Sequence, residues 1–294
     1  MKEIKELFRQ KNLHVRECVL ALDIDGTVTD SQKKVTPEVK CALRKYRQLG
    51  GQIILASGRP VEGVLPIAES LEMFQYGGYI LAYNGGCVRE VRMGKEIFSA
   101  ALPQKAIAML AQQARQYGVN LITYEDNMLI TENPEDIYCR EESFINHMMI
   151  KKVSSLADYV TFPVIKCLMT GDADHLEKVE RELREYWDGQ LSVFRSEPFF
   201  LEITAEGINK ASILDRILPA IGRDRKNLIA CGDGYNDITM LRYAEIGVAM
   251  DNAAQIVKEA ADCIAPSNDE DGVAFVVRCL SEADNQTEYS EITK

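Results

Sequence analysis

The sequence has no cysteine pair at metal-ligand or redox spacing: the two nearest of its eight cysteines, Cys263 and Cys279, stand sixteen positions apart. Structural zinc sites of the CxxC kind and thioredoxin-like motifs are therefore excluded. The three histidines, His14, His147 and His175, do not cluster. No stretch approaches the roughly 18 apolar residues of a membrane span. Met1 to Glu17 is charged throughout and lacks the apolar segment of a signal peptide. Basic residues are outnumbered, 34 to 45, for a formal net charge of -11, so the mean field repels nucleic acid and anionic membranes. Neither an internal repeat nor a low-complexity tract is found. Cysteines such as Cys18, ahead of Val19 and Leu20, sit in apolar runs where a reduced thiol acts as a small hydrophobe, and a cytoplasmic location is expected.

What is present describes a globular chain. At 294 residues it exceeds the usual span of one core, and with 46% hydrophobic and 27% charged residues it can bury two. From Cys18 the pattern reads strand (Cys18 to Leu22), helix (Thr36 to Leu49), strand (Gln52 to Ala56), helix (Pro60 to Leu71), strand (Tyr79 to Tyr83). These strands are unbroken apolar runs, the mark of strands buried on both faces of a parallel sheet. The rhythm resumes with a helix from Asn209, a strand Asn227 to Cys231, a helix after Gly234, a strand Glu245 to Met250 and a helix from Ala253. A last apolar helix, Gly272 to Leu280, precedes a polar tail, Ser281 to Lys294, that is expected to fray.

The stretch between has another grammar. Helices are expected at Pro103 to Tyr117, Glu135 to Met149 and Ala173 to Trp187, with strands Leu121 to Tyr124, Met128 to Thr131, Val164 to Thr170, Leu191 to Arg195 and Phe199 to Thr204. Strands that follow one another directly imply hairpins. The expected fold is α/β: a three-layer, doubly wound parallel-sheet core, residues 1–85 and 206–294, with an inserted α+β cap, residues 86–205.

Four segments could carry chemistry. Asp23-Ile24-Asp25-Gly26-Thr27 follows the first strand and puts two carboxylates at the carboxyl edge of the sheet, where open α/β sheets bind ligands. Ser57-Gly58-Arg59-Pro60 follows the second strand; the N-H groups of the next helix, with the Ser57 hydroxyl, suit a phosphate oxygen. Lys210 opens the first helix after the insert. Gly232-Asp233-Gly234-Tyr235-Asn236-Asp237 follows another buried strand and adds two acids. A helix cap or a solvated surface would explain each of these alone, but all four converge on one edge. Several carboxylates with no histidine among them are hard oxygen donors, and so indicate Mg²⁺ rather than zinc.

Together these motifs resemble the haloacid dehalogenase superfamily, specifically its Cof-type phosphatases (subfamily IIB) with an α+β cap. The resemblance spans all but about the first and last fifteen residues and includes the turn Ala82-Tyr83-Asn84-Gly85-Gly86 into the cap. It implies that Asp23 is the nucleophile and a metal ligand, and that Asp25 is the general acid and base whose backbone carbonyl also ligates Mg²⁺. Ser57 and Lys210 would hold the phosphoryl group, with Gly26, Thr27 and Gly58 beside it. Asp233 would complete the metal site, Asp237 would ligate the metal or support a ligand, and Asn236 would orient phosphate or Lys210.

The expected activity is hydrolysis of a small phosphorylated metabolite, such as a sugar phosphate, through a phospho-aspartate on Asp23. A phosphomutase, or a non-catalytic phospho-ligand sensor on the same scaffold, are the alternatives. Asp25 is expected to keep its proton through repulsion by neighbouring carboxylates. Arg59, Asn84, Lys166 and Arg195 are candidates to contact the substrate, and the chain is expected to be a monomer or weak homodimer.

Overall fold

The computed structural model describes the backbone of residues 2–292 and the side chains of residues 4–284. In chain order the strands are β1 (Val19–Leu22), β2 (Gln52–Ala56), β3 (Tyr79–Ala82), β4 (Cys87–Glu90) and β5 (Glu96–Ser99). Then come β6 (Asn120–Glu125), β7 (Met128–Thr131), β8 (Met149–Lys152), β9 (Lys166–Thr170), β10 (Leu191–Glu197) and β11 (Phe200–Ala205). The last three are β12 (Leu228–Gly232), β13 (Ile246–Met250) and β14 (Cys263–Ala265).

The first sheet has the order β14-β13-β12-β1-β2-β3-β4-β5, with β14 through β3 parallel and the last two strands antiparallel. Its apolar runs lack alternation because both faces are covered. In β1, Leu20 and Leu22 pack with Phe8, Leu43, Tyr46 and Leu280 from the helices Lys2–Gln10, Pro37–Gln48 and Gly272–Ile292. Val19 and Ala21 point the other way, onto Ile213, Leu214 and Leu241 of the helices Lys210–Ala220 and Ile238–Tyr243. Each fully buried Leu or Ile removes enough apolar surface to contribute roughly 1.5–3 kcal/mol.

The second sheet has the order β10-β11-β9-β6-β7-β8 and is mixed, since β7 and β8 pair in parallel. One face packs on the helices Gln104–Tyr117 and Ala173–Tyr186 through Cys167, Met169, Leu201 and Ile203. The period of two sends Lys166, Leu168, Phe200 and Glu202 to the opposite face, toward the first sheet's helices and loops. This sheet forms a cap over the carboxyl edge of the first.

Several sequence expectations change. The hairpin β4–β5 lies within the stretch assigned to the insert, yet it pairs with β3 and extends the first sheet. The helix expected from Glu135 to Met149 spans only Ile137–Asn146: Asp136 caps its start, His147 ends it with φ +54°, and the following residues form β8. The helix from Gly272 does not stop at Leu280 but runs to Ile292. Ala283 is buried, Glu282 pairs with Lys5, and Asp284 accepts hydrogen bonds from the Val15 N-H and pairs with His14. Of the tail expected to fray, Thr293 and Lys294 lie outside the described residues. No described helix is long and apolar enough to cross a membrane.

Candidate active site

The end of β1 delivers Asp23 to the sheet's carboxyl edge, where its N-H donates to Cys231 O (3.0 Å) and continues the pairing with β12. The chain must then turn at once. Gly26 does so with φ +84°, and Thr27, Val28 and Thr29 fold their N-H groups back to Ile24 O. The turn aims the Thr27 hydroxyl at Asp233, donating to Oδ1 at 2.7 Å.

Lys210 begins a helix whose N-cap is Asn209, in a reciprocal pair of hydrogen bonds with Ser212. Its side chain is fully buried, and Nζ donates to Asp23 Oδ1 (2.6 Å) and Asp237 Oδ1 (2.5 Å). The other oxygen of Asp237 accepts the N-H groups of Asp233 (3.0 Å) and Gly234 (2.8 Å), so Asp237 both anchors the lysine and shapes the loop after β12.

Asp23, Asp233 and Asp237 each place a carboxylate oxygen within 4.8 Å of the others. Burial, with the charge of Asp237, pushes the Asp23 carboxyl well above the ordinary range, although Lys210 opposes this. Asp233 rises to about 6, also chiefly through burial, with the Thr27 hydrogen bond acting against it and the charge of Asp237 adding to it. Burial alone would lower the Lys210 pKa, but its two carboxylate partners outweigh that and raise it. One lysine among three carboxylates, two buried and Asp233 partly so, leaves negative charge in excess. An all-oxygen donor set of this kind fits a hard divalent cation, and histidine and cysteine are absent from it.

Asp25 stands apart from this trio, and its surroundings differ from the expectation. The side chains bonded to its carboxylate are cations. Arg59 grips it with two bonds, Nε to Oδ2 (2.7 Å) and Nη2 to Oδ1 (2.6 Å), and Lys33 Nζ lies 2.8 Å from Oδ1. Burial pushes the Asp25 pKa up, but Arg59 and then Lys33 outweigh it and the net shift is downward. Repulsion between carboxylates therefore does not hold a proton on Asp25 in this arrangement. The Asp25 carboxylate, held by Arg59, is not among the clustered oxygens, and the ligand expected at residue 25 is its backbone carbonyl.

The remaining sequence candidates form the join between core and cap. Ser57 is buried at the end of β2, and its hydroxyl accepts the Arg59 N-H (3.2 Å). Gly58 leaves room for Asn84, whose Nδ2 would lie 3.1 Å from a Cβ there. Asn84, itself at φ +55°, accepts a hydrogen bond from Asn236 Nδ2 (2.9 Å) and donates to Glu202 Oε2 (3.0 Å) in β11. Asn236 thus holds Asn84, not Lys210. Lys166 closes the chain, with Nζ donating to Gly58 O (3.1 Å) and standing 3.5 Å from Glu202.

Arg59 Nη1 also reaches Ile145 O of the cap at 3.3 Å. Arg195 lies on the outer wall, its Nε donating to Glu180 Oε2 (2.8 Å). Together core and cap enclose a cleft of about 1090 Å³ that Asp23, Asp25, Ser57, Lys166 and Arg195 all line.

Sequence reasoning missed three contributors. Lys33 pairs with Asp25, Glu202 carries the cap's charge into the join, and Asn252 Nδ2 donates to Gly26 O (2.9 Å) and Asp233 Oδ2 (3.2 Å). Asn252 was findable, since it follows β13 at the same sheet edge; Lys33 and Glu202 have no local signature.

A family model described as haloacid dehalogenase-like hydrolase matches residues 20–277, and the chain belongs to that family. Within it, the parallel core with a separate mixed-sheet cap is the Cof-type, subclass IIB arrangement, and the protein is a phosphatase of small phosphorylated metabolites. A solved haloacid dehalogenase-like hydrolase from Bacteroides thetaiotaomicron is 41% identical and superposes with a TM-score of 0.85, covering 89% of this chain and 98% of that one. A solved HAD subclass IIB sugar phosphatase is 26% identical, with a TM-score of 0.77 over 89% of this chain and 98% of its own. A curated 5-amino-6-(5-phospho-D-ribitylamino)uracil phosphatase of Bacillus subtilis (strain 168) is 29% identical over 88% of this chain and 94% of its own.

Proposed function

We propose that the protein is a Mg²⁺-dependent phosphomonoesterase acting on sugar phosphates and similar polar metabolites, with Asp23 as the nucleophile. The observation that supports this best is Lys210, wholly buried between Asp23 and Asp237 at the sheet edge and facing the cleft. A buried lysine there has one plain use, to balance the carboxylates and the incoming phosphoryl oxygens.

In this reading an Asp23 oxygen attacks phosphorus while the bond to the leaving oxygen breaks, giving a phospho-aspartate. Asp25 gives the leaving alkoxide its proton, then takes one from the water that attacks phosphorus in the second step. Inorganic phosphate departs and Asp23 is restored. Ser57 and Lys210 hold the phosphoryl oxygens. The carboxylates of Asp23, Asp233 and Asp237, with the Asp25 carbonyl, would hold Mg²⁺, which when bound offsets the charge of nucleophile and phosphate.

For Asp25 to act as an acid it must leave Arg59 and Lys33, so the grip described above is a resting arrangement. The second sheet with its helices, residues 104–205, serves as the cap that admits the organic part of the substrate and excludes water. The relatives named above include a sugar phosphatase and a phosphatase of a ribityl compound, which supports a polyol-like leaving group.

Rapid mixing with p-nitrophenyl phosphate tests the division of labour. Asp25→Asn is expected to release one equivalent of p-nitrophenol in a burst and then stall, since that leaving group needs no proton but the water needs a base. Asp23→Asn is expected to give none. A burst from Asp23→Asn, or steady wild-type turnover from Asp25→Asn, would overturn the assignment. A panel of phosphorylated metabolites, read by phosphate release, identifies the substrate.

A further inference from the structure

At the opposite, amino edge of the first sheet lies a second cavity, of about 690 Å³, between the starts of β2 and β3. It is lined by Arg47, Arg92 and Arg223, with Tyr76 and Tyr79. In a chain of net charge -11, three guanidinium groups around one hollow call for a local explanation. None of the three forms an ion pair among the described residues.

Their hydrogen bonds go to neutral acceptors or are missing. Arg47 Nη2 donates to Leu71 O, while its Nε and Nη1 are buried without a partner. The carboxylate beside it, Glu72, is already held by Arg44 through two bonds. Arg223 donates to Gln52 Oε1 (3.0 Å) and Arg16 O (2.8 Å). The side chain of Arg92 makes no hydrogen bond among the described residues. Glu90, the acid in the lining, accepts the N-H groups of Arg92 (3.1 Å) and Met93 (2.7 Å) and forms no ion pair with any of the three guanidinium groups, which outnumber it.

Burial also holds the Arg47 guanidinium below its ordinary pKa, and the charge of Glu72 opposes this only in part. A guanidinium presents paired N-H groups that match an oxyanion, and leaving such donors unmet is costly. At this volume the cavity admits a phosphate and leaves room for a small organic group attached to it, within the ordinary range for a small metabolite.

We propose that this cavity is a second binding site, separate from the catalytic cleft, for a small multiply charged oxyanion of the phosphate class. The anion is either inorganic phosphate itself or the phosphoryl group of a metabolite. Arg92 and Arg223 present free N-H groups to it and Arg47 supplies charge from beneath, its ring partner Tyr76 holding the guanidinium 5.3 Å from the ring centroid.

Calorimetric titration of the metal-free, full-length protein tests this, because chelation stops turnover and leaves the catalytic carboxylates repelling anions. One arm uses inorganic phosphate and the other ribose 5-phosphate. Binding in the first arm assigns the free anion; binding confined to the second assigns an esterified phosphoryl group. In either case Arg92→Glu and Arg223→Gln should each weaken affinity about tenfold or more, and Arg92→Lys should restore part of it. Arg92→Glu should keep wild-type melting and wild-type hydrolysis of p-nitrophenyl phosphate with Mg²⁺. No binding of either probe at millimolar concentration, or equal affinity in wild type, Arg92→Glu and Arg223→Gln, would overturn the proposal.

Discussion

Gly26 and Asp233 stand so close that a Cβ on the glycine would lie 2.2 Å from Oδ2 of the aspartate. The two residues come from different β-strand ends, yet the contact leaves no room for any side chain at position 26. Gly26→Ala must therefore displace Asp233 and also hold alanine at φ +84°, which costs about 1–2 kcal/mol. The expected outcome is a folded enzyme with kcat/KM lowered by about 100-fold and a higher Mg²⁺ concentration for half-maximal rate. Unchanged metal dependence in a steady-state titration would show that Asp233 is not a ligand.

Lys210 is the counter-charge for Asp23 and Asp237, so its removal leaves two buried carboxylates facing each other. Lys210→Met is expected to destabilise the metal-free protein by about 3–5 kcal/mol in urea denaturation. Added Mg²⁺ should recover part of that stability without recovering activity, because the metal replaces the charge but not the donor to phosphate. Loss of stability that Mg²⁺ leaves untouched would place the metal elsewhere.

Arg59 links Asp25 to the cap through Ile145 O. The grip must open before Asp25 can transfer a proton, so its use is to fix where the carboxylate waits between turnovers; if so, Arg59→Ala should lower kcat by about 10-fold or more with a sugar phosphate. With p-nitrophenyl phosphate the loss in the first step should be small. Arg59→Lys should behave like the alanine variant, since an ammonium cannot make the paired bonds. Equal losses with both substrates would assign Arg59 a purely structural part.

Chelation gives a direct check of the oxygen-only donor set. Activity should vanish in EDTA and return with Mg²⁺, whereas Zn²⁺ should not support it. Full turnover after exhaustive chelation would remove the metal from the reaction altogether.

Much of the core was legible because its signals are local. Val19, Leu20, Ala21 and Leu22 announce a strand buried on both faces, and the motifs holding Asp23, Ser57, Lys210 and Asp233 each follow such a strand or open a helix. Short elements were harder. The strands β4 and β5 are partly exposed and β14 has three residues, so propensity and periodicity had little to work on. The polar end of the last helix, beyond Leu280, is ordered by Lys5, His14 and Val15, more than 260 positions away in sequence.

By itself, then, the order of residues determined the layers of the core and which loops meet at its carboxyl edge, because burial on two faces and the crossover rule leave few alternatives. Only the tertiary structure decided the partners within that edge. Asp23 and Asp25 are two residues apart and chemically alike, yet one faces Lys210 and Asp237 in the interior while the other is clasped by Arg59 and Lys33. Asn84 meets Asn236 and Glu202, and Lys166 meets Gly58, across separations of more than 100 positions. Charge and hydrogen-bonding act over a few ångströms of space, and sequence spacing carries no record of which distant side chains the packed layers bring within that range.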